Sequence, residues 1–112
     1  LARQGALSYI QFVSDVFELR NPLAAQALLG RVPVQARHKG DALFRAGRVQ
    51  DLAVGEPGLA YRTQVMVEGG ACRVGLRYEA DEGWRGSCSC PIGFECEHIY
   101  AAMCALLAEY RM

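Results

Sequence analysis

Apolar positions recur every three to four residues at both ends of this chain and every two residues in its middle. Leu7, Ile10, Val13 and Phe17 repeat at helical spacing, so Arg3 to Leu19 is expected to form an amphipathic helix. Asn21-Pro22 then restarts a helix, with Asn21 as N-cap and Pro22 in the first turn, and Gly30 stops it. Residues 31 to 40 (RVPVQARHKG) read as a basic linker broken by Pro33 and Gly40, and Asp41 caps a short helix that Gly47 ends. Ile99, Ala102, Met103, Leu106, Leu107 and Tyr110 form one apolar stripe near the C-terminus, on a helix suited to cover a sheet.

Between Val49 and Ser87 the apolar residues alternate, interrupted by Gly55-Glu56-Pro57-Gly58, Gly69-Gly70 and Asp81-Glu82-Gly83. Alternation bounded by such turn signals predicts a four-strand antiparallel meander. With Gly69-Gly70 as a two-residue loop, Tyr61 pairs with Tyr78, Thr63 with Leu76, Val65 with Val74 and Val67 with Cys72, all on one face. With Asp81-Glu82-Gly83 as a three-residue loop and Gly83 left-handed, Ala80 pairs with Trp84, Tyr78 with Gly86 and Leu76 with Cys88. Trp84, Gly86 and Cys88 then join the inward face. The fold class that follows is α+β: N-terminal helices, a small four-strand antiparallel meander and a C-terminal helix packed on the sheet.

Three cysteines and one of the two histidines lie in CSCPIGFECEH, residues 88–98. The spacing is CxC, five residues, then CxH. Cys88 and Cys90 belong to one face of a strand end, while Cys96 and His98 stand at a helix start, where backbone dipoles favour thiolate. Three thiolates and an imidazole are a common donor set for tetrahedral structural zinc, so Cys88, Cys90, Cys96 and His98 are the expected ligands of one Zn²⁺ that staples the fold. Four protein ligands leave no open position for activating water. A Cys88–Cys96 disulfide and unliganded thiols are the alternative readings. Cys72 and Cys104 read as small core residues, and His38 as a solvated one.

The remaining composition narrows the class. The chain has 112 residues, 52% hydrophobic and 21% charged, which is one globular domain's worth. Its five cysteines are odd in number and clustered, unlike a secreted disulfide framework. No apolar run reaches the roughly 20 residues of a membrane span and no signal layout opens the chain, so a cytoplasmic protein with no membrane partner is expected. A chain that opens on Leu1 is expected to be a piece of a longer polypeptide. The formal charge of zero divides into seven basic against three acidic residues over positions 1–50 and five against nine over positions 51–112.

The CxC…CxH pattern, with the preceding meander and the run AGRVQDL (Ala46 to Leu52), resembles the SWIM zinc finger. The resemblance covers about Asp41 to Leu107 and puts Cys88, Cys90, Cys96 and His98 on the family's ligand positions; residues 1–40 lie outside it. It implies two segments, 1–40 as a helical segment with basic linker and 41–112 as the zinc-finger domain. In bacteria such domains often precede Swi/Snf-type ATP-dependent helicases, so the resemblance implies a nucleoid-associated module that binds DNA or docks on protein, including a neighbouring helicase motor. Family members often carry a lysine between the last cysteine and the histidine. Here that position is Glu97, which removes a positive charge from that corner.

No catalysis is expected of the chain. Lys39, its only lysine, does not complete a phosphate-binding GxxxxGK[ST] loop, and the zinc-deaminase signature is absent. A Cys/His pair two residues apart beside two further thiols fits a shared metal better than a nucleophile and base. No small-molecule substrate is expected either. Binding is expected on the outward sheet face, where the register above sets Arg62 opposite Arg77, with Arg73 near and Arg85 opposite Glu79. Like charges so placed destabilise a sheet unless a phosphate or carboxylate compensates them, so Arg62, Arg73 and Arg77 are the candidate nucleic-acid contacts. A solvated arginine face is the alternative. The run Arg31, Arg37, Lys39, Arg45 and Arg48 is a second basic candidate.

Overall fold

The computed structural model describes residues 18–111. The expected helix at Arg3 to Leu19 lies almost wholly outside them. The described residues form three helices, α1 (Pro22–Arg31), α2 (Val34–Arg45) and α3 (Glu97–Arg111), and one antiparallel sheet of β1 (Val49–Glu56), β2 (Ala60–Val67), β3 (Gly70–Glu79) and β4 (Gly83–Cys88), in the order β1-β2-β3-β4. The α+β class and the meander agree with the sequence pattern. No helix among the described residues is long and apolar enough to cross a membrane.

Asn21 caps α1 as expected: its side-chain oxygen accepts from the Ala24 amide at 3.2 Å, with Pro22 following in the first turn. The stretch read as a linker is instead helical. α2 begins after Pro33 and runs without interruption through Gly40. Gly40 is needed there for close approach, since a Cβ on it would stand 2.6 Å from the Glu97 carbonyl and 2.8 Å from the Tyr100 ring. What looks like a breaker is the contact point of two helices. The turn between α1 and α2 is held by Arg37, whose guanidinium donates to the carbonyls of Val32 at 2.6 Å and Gly30 at 3.0 Å, two acceptors a helix end leaves open.

In β1 the inward residues are Val49, Leu52 and Val54, a spacing that strict alternation cannot give. A bulge supplies the change of phase. Asp51 takes φ 58° and the register shifts between Gln50 and Ala53.

The two hairpins fall two residues away from the expected register. Val67 pairs with Gly70, so Glu68-Gly69 is the loop, and Tyr61 faces Leu76, Thr63 faces Val74 and Val65 faces Cys72. Likewise Glu79 pairs with Gly83 at φ 82°, and Tyr78 faces Trp84, Leu76 faces Gly86 and Val74 faces Cys88. A shift of two leaves every side chain on its own face but changes every neighbour across the strands. Arg62 therefore lies opposite Gly75 and not Arg77, and the like-charge pair of the expected register is exchanged for Arg77 opposite Arg85.

The inward face and α3 make the core: Tyr61, Val65, Val74, Leu76 and Trp84 pack with Ile99, Ala102, Met103 and Leu106, joined by Ala25 and Leu28 of α1. Ile99 sits directly on Gly86, where a Cβ would come within 2.5 Å of its Cγ2. Tyr110, expected in the buried stripe, is 42% exposed at the helix end. The buried polar groups of the aromatics find partners in the segment before α1. The Trp84 indole donates to the Arg20 carbonyl at 2.7 Å, and the Tyr61 hydroxyl accepts from the Gly58 amide at 2.9 Å and donates to the Glu18 carbonyl.

Candidate metal centre

β4 ends at Cys88, and the chain does not leave the sheet at once. The Ser89 amide donates to the Arg73 carbonyl at 3.0 Å, and the Ser89 hydroxyl accepts from the Arg73 amide at 2.9 Å, which prolongs the ladder past the strand. Residues 91–95 then fold back. Gly93 takes φ 83° and its carbonyl accepts from the Cys88 amide at 3.0 Å, a return that brings Cys96 to the start of α3. A side chain disfavours that left-handed conformation, which accounts for glycine here.

Cys88, Cys90, Cys96 and His98 are brought together at this corner, with their four donor atoms all within 4.8 Å of one another. His98 Nδ1 stands 3.6 Å from Cys88 Sγ and 3.7 Å from Cys96 Sγ. Ligands on a tetrahedral zinc, with Zn–S of about 2.3 Å and Zn–N of about 2.0–2.1 Å, stand about 3.6–3.8 Å apart. The residues present therefore fit a metal ion of that size and donor preference, with Nδ1 as the imidazole donor.

The electrostatics of the thiols differ in a way that burial and backbone donors explain. Burial pushes the Cys88 thiol well above its ordinary range, against the Cys90 amide 3.5 Å away. Burial also raises Cys96, although the amides of Ile99 and His98 at the start of α3 point at its sulfur and pull the other way. Burial disfavours the Cys90 thiolate too, but the Gly93 amide, His98 and the neighbouring thiols outweigh it and bring Cys90 down to about 6. At neutral pH these shifts favour the thiolate at Cys90 and the protonated thiol at Cys88 and Cys96. A divalent cation would offset the burial, and the lesser thiolate repulsion, that hold those two protonated.

Cys72, read from sequence as a core residue, lies beside the tetrad, its Sγ 3.9 Å from His98 Nε2. The pattern placed Cys72 on the inward face, but its nearness to the tetrad follows only from the observed register, in which Val74 and not Leu76 lies opposite Cys88. Cys104 is away from the cluster in α3, and burial raises its thiol to about 11. His38 is exposed on α2.

The outward arginines are arranged differently from expectation. Arg77 lies opposite Ala60 on one side and Arg85 on the other, and it forms an ion pair with Glu56 at 3.5 Å. Arg85, expected opposite Glu79, pairs with Glu82. Arg62 and Arg73 make no ion pair among the described residues. Gly75 lies opposite Arg62 and two residues along β3 from Arg73, and two open depressions of about 520 and 410 Å³ meet where Arg62, Gly75 and Ser87 line both. Of the second basic candidate, Arg31 bonds the Trp84 carbonyl at 2.6 Å and Glu95 at 3.1 Å, and Arg45 pairs with Asp41 at 2.8 Å. With Arg37 also engaged, most of that patch is spent within the fold.

Sequence reasoning gave no role to Ile92 and Phe94, which are 61% and 63% exposed in the loop between the ligand cysteines. Two large apolar residues in a segment with neither helical nor strand period were the available signal.

Comparison of the chain with protein-family models, with curated proteins and with solved structures finds no match in any of the three.

Proposed function

We propose that the chain is a zinc-stapled recognition module of SWIM type, part of a larger helicase-like protein, whose outward sheet face contacts the phosphate backbone of DNA. The observation that carries the zinc reading is the tetrad, with all four donors within 4.8 Å of one another and the Nδ1 distances to Cys88 and Cys96 sulfur equal to edges of a zinc tetrahedron. No catalytic role is assigned, because four protein donors complete that tetrahedron and leave no place for a reacting water.

The DNA reading is supported by Arg62 and Arg73 on either side of Gly75. The three aromatics of the sheet, Tyr61, Tyr78 and Trp84, all belong to the inward face, where Trp84 lies 6.4 Å from Tyr61 and 5.8 Å from Tyr78 by ring centroid. The outward face therefore offers charge without a stacking platform for bases, which favours backbone contact on a duplex over capture of a single strand. Two free charges give a shallow salt response: a slope of about −0.9 per phosphate predicts roughly a tenfold loss of affinity between 50 and 200 mM salt.

Fluorescence anisotropy with the zinc-loaded chain tests this. Duplex binding with that slope, abolished in Arg62→Ala/Arg73→Ala, is expected. Equal binding by the double variant, or none at low salt, rejects the DNA reading. The second reading, a protein-docking module with no nucleic-acid contact, is favoured by the exposure of Ile92 and Phe94 on a loop that the metal would hold rigid.

A further inference from the structure

A histidine that binds a metal through one ring nitrogen carries its proton on the other, and an acceptor for that proton fixes both tautomer and ring plane. His98 turns Nδ1 toward Cys88 and Cys96, at 3.6 and 3.7 Å, so Nε2 is the nitrogen left over. The His98 side chain is only 12% exposed. Two groups stand before it: Cys72 Sγ at 3.9 Å, within reach of an N–H···S bond, and Glu97 Oε2 also at 3.9 Å.

We propose that Cys72 and Glu97 are positioning residues for the metal centre, which hold His98 as the Nε2–H tautomer and so present Nδ1 to the ion. The inference rests on the zinc reading and adds two residues outside the tetrad. They come from different elements. Cys72 is on β3, brought there because its inward face continues from Val74, the partner of Cys88, and because the Arg73–Ser89 ladder holds β3 against the start of the knuckle. Glu97 opens α3, one residue before His98.

The two acceptors differ in kind. Cys72 is in bonding distance already, and its sulfur is fixed by the strand. At 3.9 Å the Glu97 oxygen lies beyond an ordinary hydrogen bond and closes on Nε2 through rotation of a side chain that is 30% exposed. Glu97 also stands where the resemblance leads one to expect lysine, a donor that could not serve Nε2–H. The corner thus gives up a positive charge and gains an acceptor for the ligand histidine. Because both serve the same Nε2–H, the outer interaction as a whole is worth about 10–100-fold in metal affinity.

The test uses the full chain with Zn²⁺ in competition against a chromophoric chelator, together with long-range ¹H–¹⁵N spectra of ¹⁵N-histidine protein. His38→Gln separates the signals of the two histidines. Wild type is expected to bind one Zn²⁺ and to show His98 protonated at Nε2 with Nδ1 on the metal. Cys72→Ala/Glu97→Ala, which removes both acceptors, should lose about 10–100-fold in affinity. Cys72→Ser, which restores an acceptor, should recover affinity relative to Cys72→Ala, and Glu97→Ala alone, at a partly exposed helix start, removes the other acceptor without opening the core. A spectrum with the metal on Nε2 overturns the proposal, and so does a double variant with wild-type affinity and tautomer. If wild type takes up no Zn²⁺, the zinc reading itself has failed and the proposal falls with it; uptake with unaltered variants defeats only the positioning role.

Discussion

On the face of the sheet turned toward α3, Tyr61, Val65, Val74, Leu76 and Trp84 are buried to within a few per cent, and even the missing side chain of Gly86 is filled by Ile99. On the face turned away, Arg62, Gln64, Arg73, Arg77 and Arg85 stand in solvent, and the missing side chain of Gly75 leaves an open depression. The same four strands make both. On the inward face a residue matters for what it is, because volume and apolarity decide the fit. On the outward face it matters for what stands beside it, because a charge is free or neutralised according to its neighbour across the strand. Arg77 is quenched by Glu56 and Arg85 by Glu82, whereas Arg62 and Arg73 have no such partner among the described residues, although all four are the same residue type.

Taking the metal away should be the largest perturbation, because the tetrad closes the end of the inward face where β4 hands over to α3. At zinc a thousandfold above its dissociation constant, binding stabilises the fold by about 4 kcal/mol. For a domain of this size each kcal/mol moves Tm by about 4 °C, so stripping the ion should lower Tm by roughly 15 °C. Differential scanning calorimetry with and without chelator reads this directly, and Cys96→Ser should reproduce it at saturating zinc. An unchanged Tm would mean that the core alone holds the corner and that the staple is wrong.

The thiols also set how metal affinity depends on pH. Cys88 and Cys96 are raised by burial and enter pH 7 protonated, while Cys90 at about 6 is already a thiolate. A metal bound by three thiolates therefore displaces two thiol protons near neutrality, so the logarithm of apparent affinity should rise by about two per pH unit from these groups. Below pH 6 Cys90 protonates as well and the slope should steepen toward three. Zinc titrations at several pH values measure it. A flat profile between pH 7 and 8 would show that the thiols are not the ligands.

How far the sequence carried can be stated in the same terms as the two faces. Which residues are inward was legible, since alternation fixes the face and a two-residue slip preserves it. The tetrad was legible for a related reason: its four donors lie within eleven residues, and the strand end and helix start that carry them were visible in the change of period. Pairings across the hairpins were not legible, because Glu68-Gly69 and Gly69-Gly70 both offer a glycine for the turn. Only the clash of Arg62 with Arg77 argued against the register first expected, and it was read as a binding site. Gly40 was misread as a breaker because its role depends on Tyr100, sixty residues away, and Cys72 was set aside because its nearness to His98 needed the correct register of β3 with β4.

The glycines give the comparison between faces its sharpest form. Gly86→Ala puts a methyl group 2.5 Å from Ile99 Cγ2 and 3.1 Å from two more of its carbons, inside a packed core, and should destabilise by about 1–3 kcal/mol. Gly75→Ala, on the neighbouring strand one position along in register and on the opposite face, meets only the Ser87 hydroxyl at 3.1 Å, the end of a side chain that can rotate into solvent. Replacing a strand-interior glycine there should be neutral or should stabilise by up to about 1 kcal/mol, through the lower entropy of the unfolded chain. Denaturant midpoints for the two variants should therefore move apart in opposite senses, and equal losses would mean that the outward face is covered. The second variant also tests function with the fold held constant. A larger residue, Gly75→Val, fills the depression between Arg62 and Arg73 while leaving both charges in place. If phosphate seats there, duplex affinity should drop severalfold with stability unchanged; if the arginines act only as a diffuse positive field, affinity should stay where it was.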